Sequence, residues 1–319
     1  MIRLLLSAIL PMGAFAATPC SNDIPVRIEW TTNRGYCGET GLISAGLYHG
    51  QYMSQYDARA LIGTQQDELL LGINAKKAAD AMHLDTEDWD YDDQQSTDQF
   101  LDWVNQNSAK GYPVIIGVFI NQLKMYDDPN PDDGDDDYDH IVPVTGFSGD
   151  SIDYTDEGLW SDSEDHKFAA PLASFAMTRQ EANGQSAPIY SLSSCDPAKK
   201  LYNYGMAIKG VKDLNGETFP VRVDTSVDGE SPPIVDKSNE RPPAEPIVLT
   251  ITVSGIEPNV PYVLYRYNQL ELVPESDFNS HAVNAHEHWP VQIASGSTFT
   301  MTETIQSDEI AVYRAVKAP

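Results

Sequence analysis

The stretch TTNRGYCGETGLISAGLYHG, residues 31–50, decides how this chain is read. Cys37 lies between Tyr36 and Gly38, after a Gly-containing turn and before a segment with helical spacing. Leu42, Ala45 and Leu47 supply apolar positions, and Gly50 is a stop signal. A cysteine in such a place is a nucleophile, half of a disulfide, or a small buried apolar residue. A helix starting near Gly38 favours the first reading. Unpaired amides and the macrodipole at a helix N-terminus stabilise a thiolate.

A neighbouring imidazole is the second device that activates a thiol. His140 opens the apolar run HIVPVTGF (140–147), which reads as a strand. The run is followed by SGDS and then IDYTD (152–156), so a β-hairpin is expected. With its turn at Ser148–Gly149, Ile141 faces Asp156 across the ladder. Asp156 is therefore the preferred group to orient His140, with Asp153 as the alternative. In this triad logic Cys37 attacks, His140 moves the proton and the aspartate holds the ring.

These residues resemble the papain-like cysteine peptidase superfamily, most closely its branch similar to bacteriocin-processing peptidases. The resemblance rests on GYCGETGLISAGL, then DHIVPVTGF about a hundred residues on, then YTDEG, with Asp156 sixteen positions after His140. It covers approximately residues 25–215 and implies an α+β domain with N-terminal helices packed on an antiparallel sheet. It also implies hydrolysis of peptide or amide bonds. The family's Gln six residues before the nucleophile is replaced here by Thr31. Asn33 is the nearest amide side chain and the expected oxyanion donor beside the Cys37 N–H, with Gln51 as another glutamine to weigh.

Around this core the chain divides as follows. Residues 1–16, MIRLLLSAILPMGAFA, read as a secretory signal peptide cut before Ala17. The apolar run is too short for a span, which needs about 20 residues. A papain-like catalytic domain is expected over 17–223. Within it, helical spacing covers 39–49, 53–62, 71–84 and 96–109, and strands are expected at 112–120, 140–147, 152–156 and 202–211. Ser96 is the N-cap of the last helix. Residues 224–246, rich in Pro, Ser and charge, read as a linker. Residues 247–319 alternate apolar and polar positions in short runs, as a small β-sandwich does.

Export directs attention to the three cysteines, because disulfides persist outside the cytosol. Cys20 with Cys195 is the expected pair, stabilising by up to about 4–5 kcal/mol through loop closure. Cys37 is then the free thiol.

The net charge of −28 excludes nucleic acid bound through phosphates and argues against anionic membrane surfaces. The bland reading is solubility in an extracellular or luminal medium; the sharper one is attraction of cationic substrates. The densest acid lies at 127–139, where Asp127, Asp128, Asp132, Asp133, Asp135, Asp136, Asp137 and Asp139 crowd together. A calcium site at Asp128, Asn130, Asp132 and Asp135 is one reading. A solvated loop and a docking surface for Lys- and Arg-rich substrates are the others. These acids also favour a charged His140. His281, His286 and His288 contain a His-x-His pair, a zinc pattern without an evident fourth ligand, and read as a surface loop. Nothing points to an organic cofactor.

The function expected is a secreted cysteine peptidase or amide hydrolase acting on peptide or protein substrates. Its rivals are a non-catalytic secreted binding protein of the same fold and a transglutaminase-like acyltransferase using the same thiolate.

Overall fold

The structure is a computed structural model and describes residues 17–30, 35–63, 70, 72–89, 96–120, 140–156, 166–176, 189–190, 204–227 and 241–319. It is a mixed α+β fold with antiparallel sheets and few helices. In chain order the first elements are β1 (Cys20–Ser21), α1 (Cys37–Tyr48), β2 (Gln51–Tyr52), α2 (Gln55–Ala60) and α3 (Ile73–Ala81). They are followed by β3 (Leu84–Asp88), α4 (Thr97–Ser108), β4 (Val114–Ile120), β5 (His140–Ser148), β6 (Ser151–Thr155) and β7 (Lys167–Pro171). The last part holds β8 (Ile189–Tyr190), β9 (Tyr204–Val211), β10 (Thr218–Phe219), β11 (Val221–Thr225) and β12 (Pro246–Ser254). β13 (Tyr262–Tyr267), β14 (Glu287–Val291), β15 (Thr298–Gln306) and β16 (Ala311–Lys317) complete it.

An eight-stranded sheet runs β3-β9-β4-β5-β6-β7, with β1 beside β5 and β8 beside β4. Side chains alternate across it, as the period of two requires. Ile115 and Ile141 join the core beneath α1, whereas Val114, Ile116, Val118, Val142 and Val144 join the core on the α4 side. α1 comes close to the sheet at Gly41, where a Cβ would stand 3.3 Å from Ile115 Cγ2. α4 starts as its sequence dictates: Ser96 and Gln99 form a reciprocal capping box.

Two smaller sheets, β10-β16-β13-β14 with β2, and β11-β12-β15, are built mainly from the C-terminal third. β2 of the N-terminal region pairs with β16, and β11 at 221–225, across the expected domain boundary, pairs with β12. One hydrophobic core runs continuously from Leu42 and Leu47 of α1 to Leu249, Leu264 and Tyr313. Leu84, expected at the end of a helix, instead opens β3, because Met82 caps α3 and His83 takes a left-handed φ of 53°. Among the described residues no helix is long and apolar enough to cross a membrane.

Cys20 is a free thiol, not a disulfide partner. It pairs with Phe147 through the β1–β5 ladder and lies against the α4-side core, with Asn105 Nδ2 3.9 Å from its sulfur. Cys195 lies outside the described residues, as does the signal peptide expected at 1–16.

Candidate active site

Cys37 is the first residue of α1, with Tyr36 as N-cap. Gly38 follows it because nothing larger fits: a Cβ there would stand 2.2 Å from the Leu70 carbonyl oxygen. The turn before it is clamped by Arg59 of α2. The Arg59 guanidinium sits 3.5 Å over the Tyr36 ring, its Nη2 donates to the Gly35 carbonyl at 2.7 Å, and its Nε donates to Glu39 Oε1 at 2.5 Å. Glu39 and Arg59 are fully buried, so each compensates the other's desolvation.

His140 opens β5 and is 2 % exposed. Its Nε2 lies 3.3 Å from Asp156 Oδ1. That leaves Nδ1 as the nitrogen toward Cys37, with which His140 shares a side-chain hydrogen bond. The hairpin that achieves this turns one residue later than expected, with Ser148 opposite Ser151 and Gly149 at φ 60°. A register shift between Val144 and Gly146 then leaves Val144 opposite Tyr154. A bulge here resolves a parity conflict: Phe147 and Val144 are an odd number of residues apart, yet both enter the same core. Asp153, the alternative orienter, instead accepts from the Ser148 hydroxyl at the surface.

The electrostatics differ from the expectation of a depressed thiol. Burial pushes the Cys37 thiol above its ordinary 9.0; His140 pulls it down without cancelling that burial, and Glu29 and Glu39 push it further up. Burial also opposes a charged His140, but its hydrogen bonds to Asp156 and Cys37 prevail and hold it well above 6.5. The pair thus combines a reluctant acid with a strengthened base, and it titrates as a unit.

Glu29 is the residue the sequence reading missed. It is 2 % exposed, and its Oε2 accepts the Tyr36 amide hydrogen at 3.1 Å. Burial raises its carboxyl to about 7. One donor atom each from Glu29, Cys37 and His140 lies within 4.8 Å of the other two, and this is the one such cluster among the described residues. In the segment IPVRIEW (24–30) the only available signal pointed the wrong way. Val26 and Ile28 alternate with Arg27 and Glu29, which suggests charges outward, yet Arg27 and Glu29 are the buried pair.

Asn33 and Thr31 lie outside the described residues, as do Asp128, Asn130, Asp132 and Asp135 of the calcium reading. Gln51 is buried away from the chemistry, donating to the Met82 carbonyl at 2.9 Å. His281, His286 and His288 form no metal cluster: His281 Nδ1 meets the Asp277 carbonyl, His286 Nδ1 meets Asn268, and His288 lies in β14 beside Tyr265. Comparison of the chain with family models, with curated proteins and with solved structures finds no match.

Proposed function

We propose that this chain is a secreted papain-like cysteine peptidase or amide hydrolase, with Cys37 as nucleophile, His140 as general base and Asp156 as the group that positions His140. One observation carries the reading: a cysteine at a helix start and a histidine at a strand start, distant in sequence, share a hydrogen bond, and the histidine is backed by a buried carboxylate. The Cys37 Sγ–H proton passes to His140 Nδ1 as sulfur attacks the substrate carbonyl carbon. The imidazolium so formed is stabilised by Asp156 across Nε2. The oxyanion forms beside the amide hydrogens of Cys37 and Gly38, which precede the first intrahelical bond of α1, from the Thr40 N–H to the Tyr36 carbonyl. His140 then gives its proton to the departing amine. A water, deprotonated by the same ring, hydrolyses the thioester and frees Sγ. The acid-rich surface suits cationic peptides or proteins as substrates.

The rival reading, a non-catalytic binding protein, is favoured by one observation: Glu29 adds negative charge beside a thiol already pushed up by burial. The test is turnover of a fluorogenic peptide mixture, together with intact-mass detection of an acyl group on Cys37. Hydrolysis that disappears in Cys37→Ala supports the enzyme. Absence of both turnover and acylation across acidic and neutral pH leaves the binding protein.

A further inference from the structure

Hydrolysis uses Cys37 and His140 and finds no work for Glu29. A buried carboxylate next to a nucleophilic sulfur opposes a thiolate, and the cation nearest Glu29 is His140, whose hydrogen bonds already go to Asp156 and Cys37. All three side chains are nearly inaccessible: Glu29 2 %, Cys37 5 %, His140 2 %. Such a group of acids and a base, excluded from water, calls for a compensating charge.

We infer that Glu29, Cys37 and His140 form a three-ligand site for a divalent transition metal of the zinc class. Sulfur, imidazole nitrogen and carboxylate oxygen are the donor set that borderline Zn²⁺ takes. A thiolate and a carboxylate together balance the two positive charges, so the metal with its three ligands carries no net charge, and Asp156 stays behind His140 as the carboxylate that holds the ring. His140 is prepared in the way ligating histidines are. Its far nitrogen, Nε2, is held by Asp156 Oδ1 at 3.3 Å, which fixes the ring and turns Nδ1 inward. The donor atoms lie at most 4.8 Å apart. Donors around tetrahedral zinc stand about 3.3–3.8 Å apart, so the set closes by about 1 Å through side-chain rotation. Three protein ligands leave a fourth position for water. On binding, Cys37 releases its thiol proton to solvent. The metal-bound sulfur is then unavailable for attack, so metal binding and thiol chemistry exclude one another. The inference shares two residues with the hydrolase reading and depends on neither turnover nor acylation.

The test uses the full chain, stripped with EDTA and desalted. Titration with zinc chloride is followed by calorimetry, and titration with cobalt(II) by thiolate-to-cobalt charge-transfer absorption. One equivalent of each metal is expected. The cobalt band disappears in Cys37→Ser, and zinc affinity falls at least about tenfold in Glu29→Gln. Thermal melts of the metal-free variants check that each is folded, and His140→Gln provides a second ligand variant. Absence of stoichiometric zinc uptake overturns the site. So does a folded Glu29→Gln chain that binds zinc as tightly as the parent. Peptide turnover by the metal-free chain is scored separately, and its failure bears on the hydrolase reading alone.

Discussion

Asp156 Oδ1 stands 3.3 Å from His140 Nε2, and both side chains are buried at the meeting of two adjacent strands. The contact exists because the β5–β6 hairpin bulges between Val144 and Gly146. Asp156 raises the basicity of His140 and fixes which nitrogen faces Cys37. Asp156→Asn removes the charge and is expected to lower peptide turnover by about 10²-fold. It also moves the His140-dependent limb of the pH–rate profile to lower pH. An unchanged pH profile would show that Asp156 supports the fold and not the proton transfer.

The thiol is expected to react slowly in the free protein. Burial holds Cys37 above 9.0, so alkylation by iodoacetamide should be slow at pH 6 and accelerate toward alkaline pH. In the metal-free chain, Glu29→Gln removes a neighbouring negative charge and should speed labelling at neutral pH. Fast labelling at pH 6, lost in His140→Ala, would mean that the ion pair forms without substrate and that His140 outweighs burial at the thiol.

Arg59 clamps the turn that carries Cys37. Removing it leaves Glu39 buried without a counter-charge, at a cost of about 3–5 kcal/mol. Arg59→Ala should therefore lower the denaturation midpoint strongly, and the Arg59→Ala, Glu39→Gln double variant should recover part of the loss. Additive effects in a double-mutant cycle would refute the coupling.

Gly38 has no room for a methyl group, with the Leu70 carbonyl oxygen 2.2 Å from the position of a Cβ. Gly38→Ala should cost about 1–3 kcal/mol and displace the start of α1. Gly41→Ala meets side-chain carbons alone, the Ile115 methyl at 3.3 Å and the Ile141 methyl at 3.6 Å, and should cost less. Equal midpoints for the two variants would contradict this local geometry.

His49 provides a pH test away from the reacting groups. Burial lowers its pKa from 6.5 to about 4, while its Nε2 contacts the Ile208 carbonyl at 3.3 Å. The fold prefers the neutral ring. Its contribution is complete above 6.5 and is lost as pH falls through 4. His49→Gln keeps an N–H for Ile208, so the variant should gain on the parent in thermal melts between pH 7 and pH 4. Parallel melting curves would count against it.

Local signals were legible where the chain obeys a single period or a cap. Ser96 caps α4 because Gln99 stands at the third helical position, and the run beginning at His140 is a strand because it is β-branched and apolar. The pairing of Cys37 with His140 and Asp156 was legible from the order and spacing of the residue types. The choice of Asp156 over Asp153 depended on a bulge, which no short-range pattern specifies.

By itself, the sequence determined the helix at Cys37, the strand at His140, the acidic balance and the α+β class, since each follows from local periodicity or composition. Only the tertiary structure decided that Glu29 and Arg27 turn inward from IPVRIEW, that β11 joins β12 and that β2 joins β16. It also decided the direction of the Cys37 thiol's pKa. The physical reason is common to all of these. Desolvation and strand pairing depend on which distant residues close over a group, and Glu39 gains its partner only when Arg59 arrives from another helix.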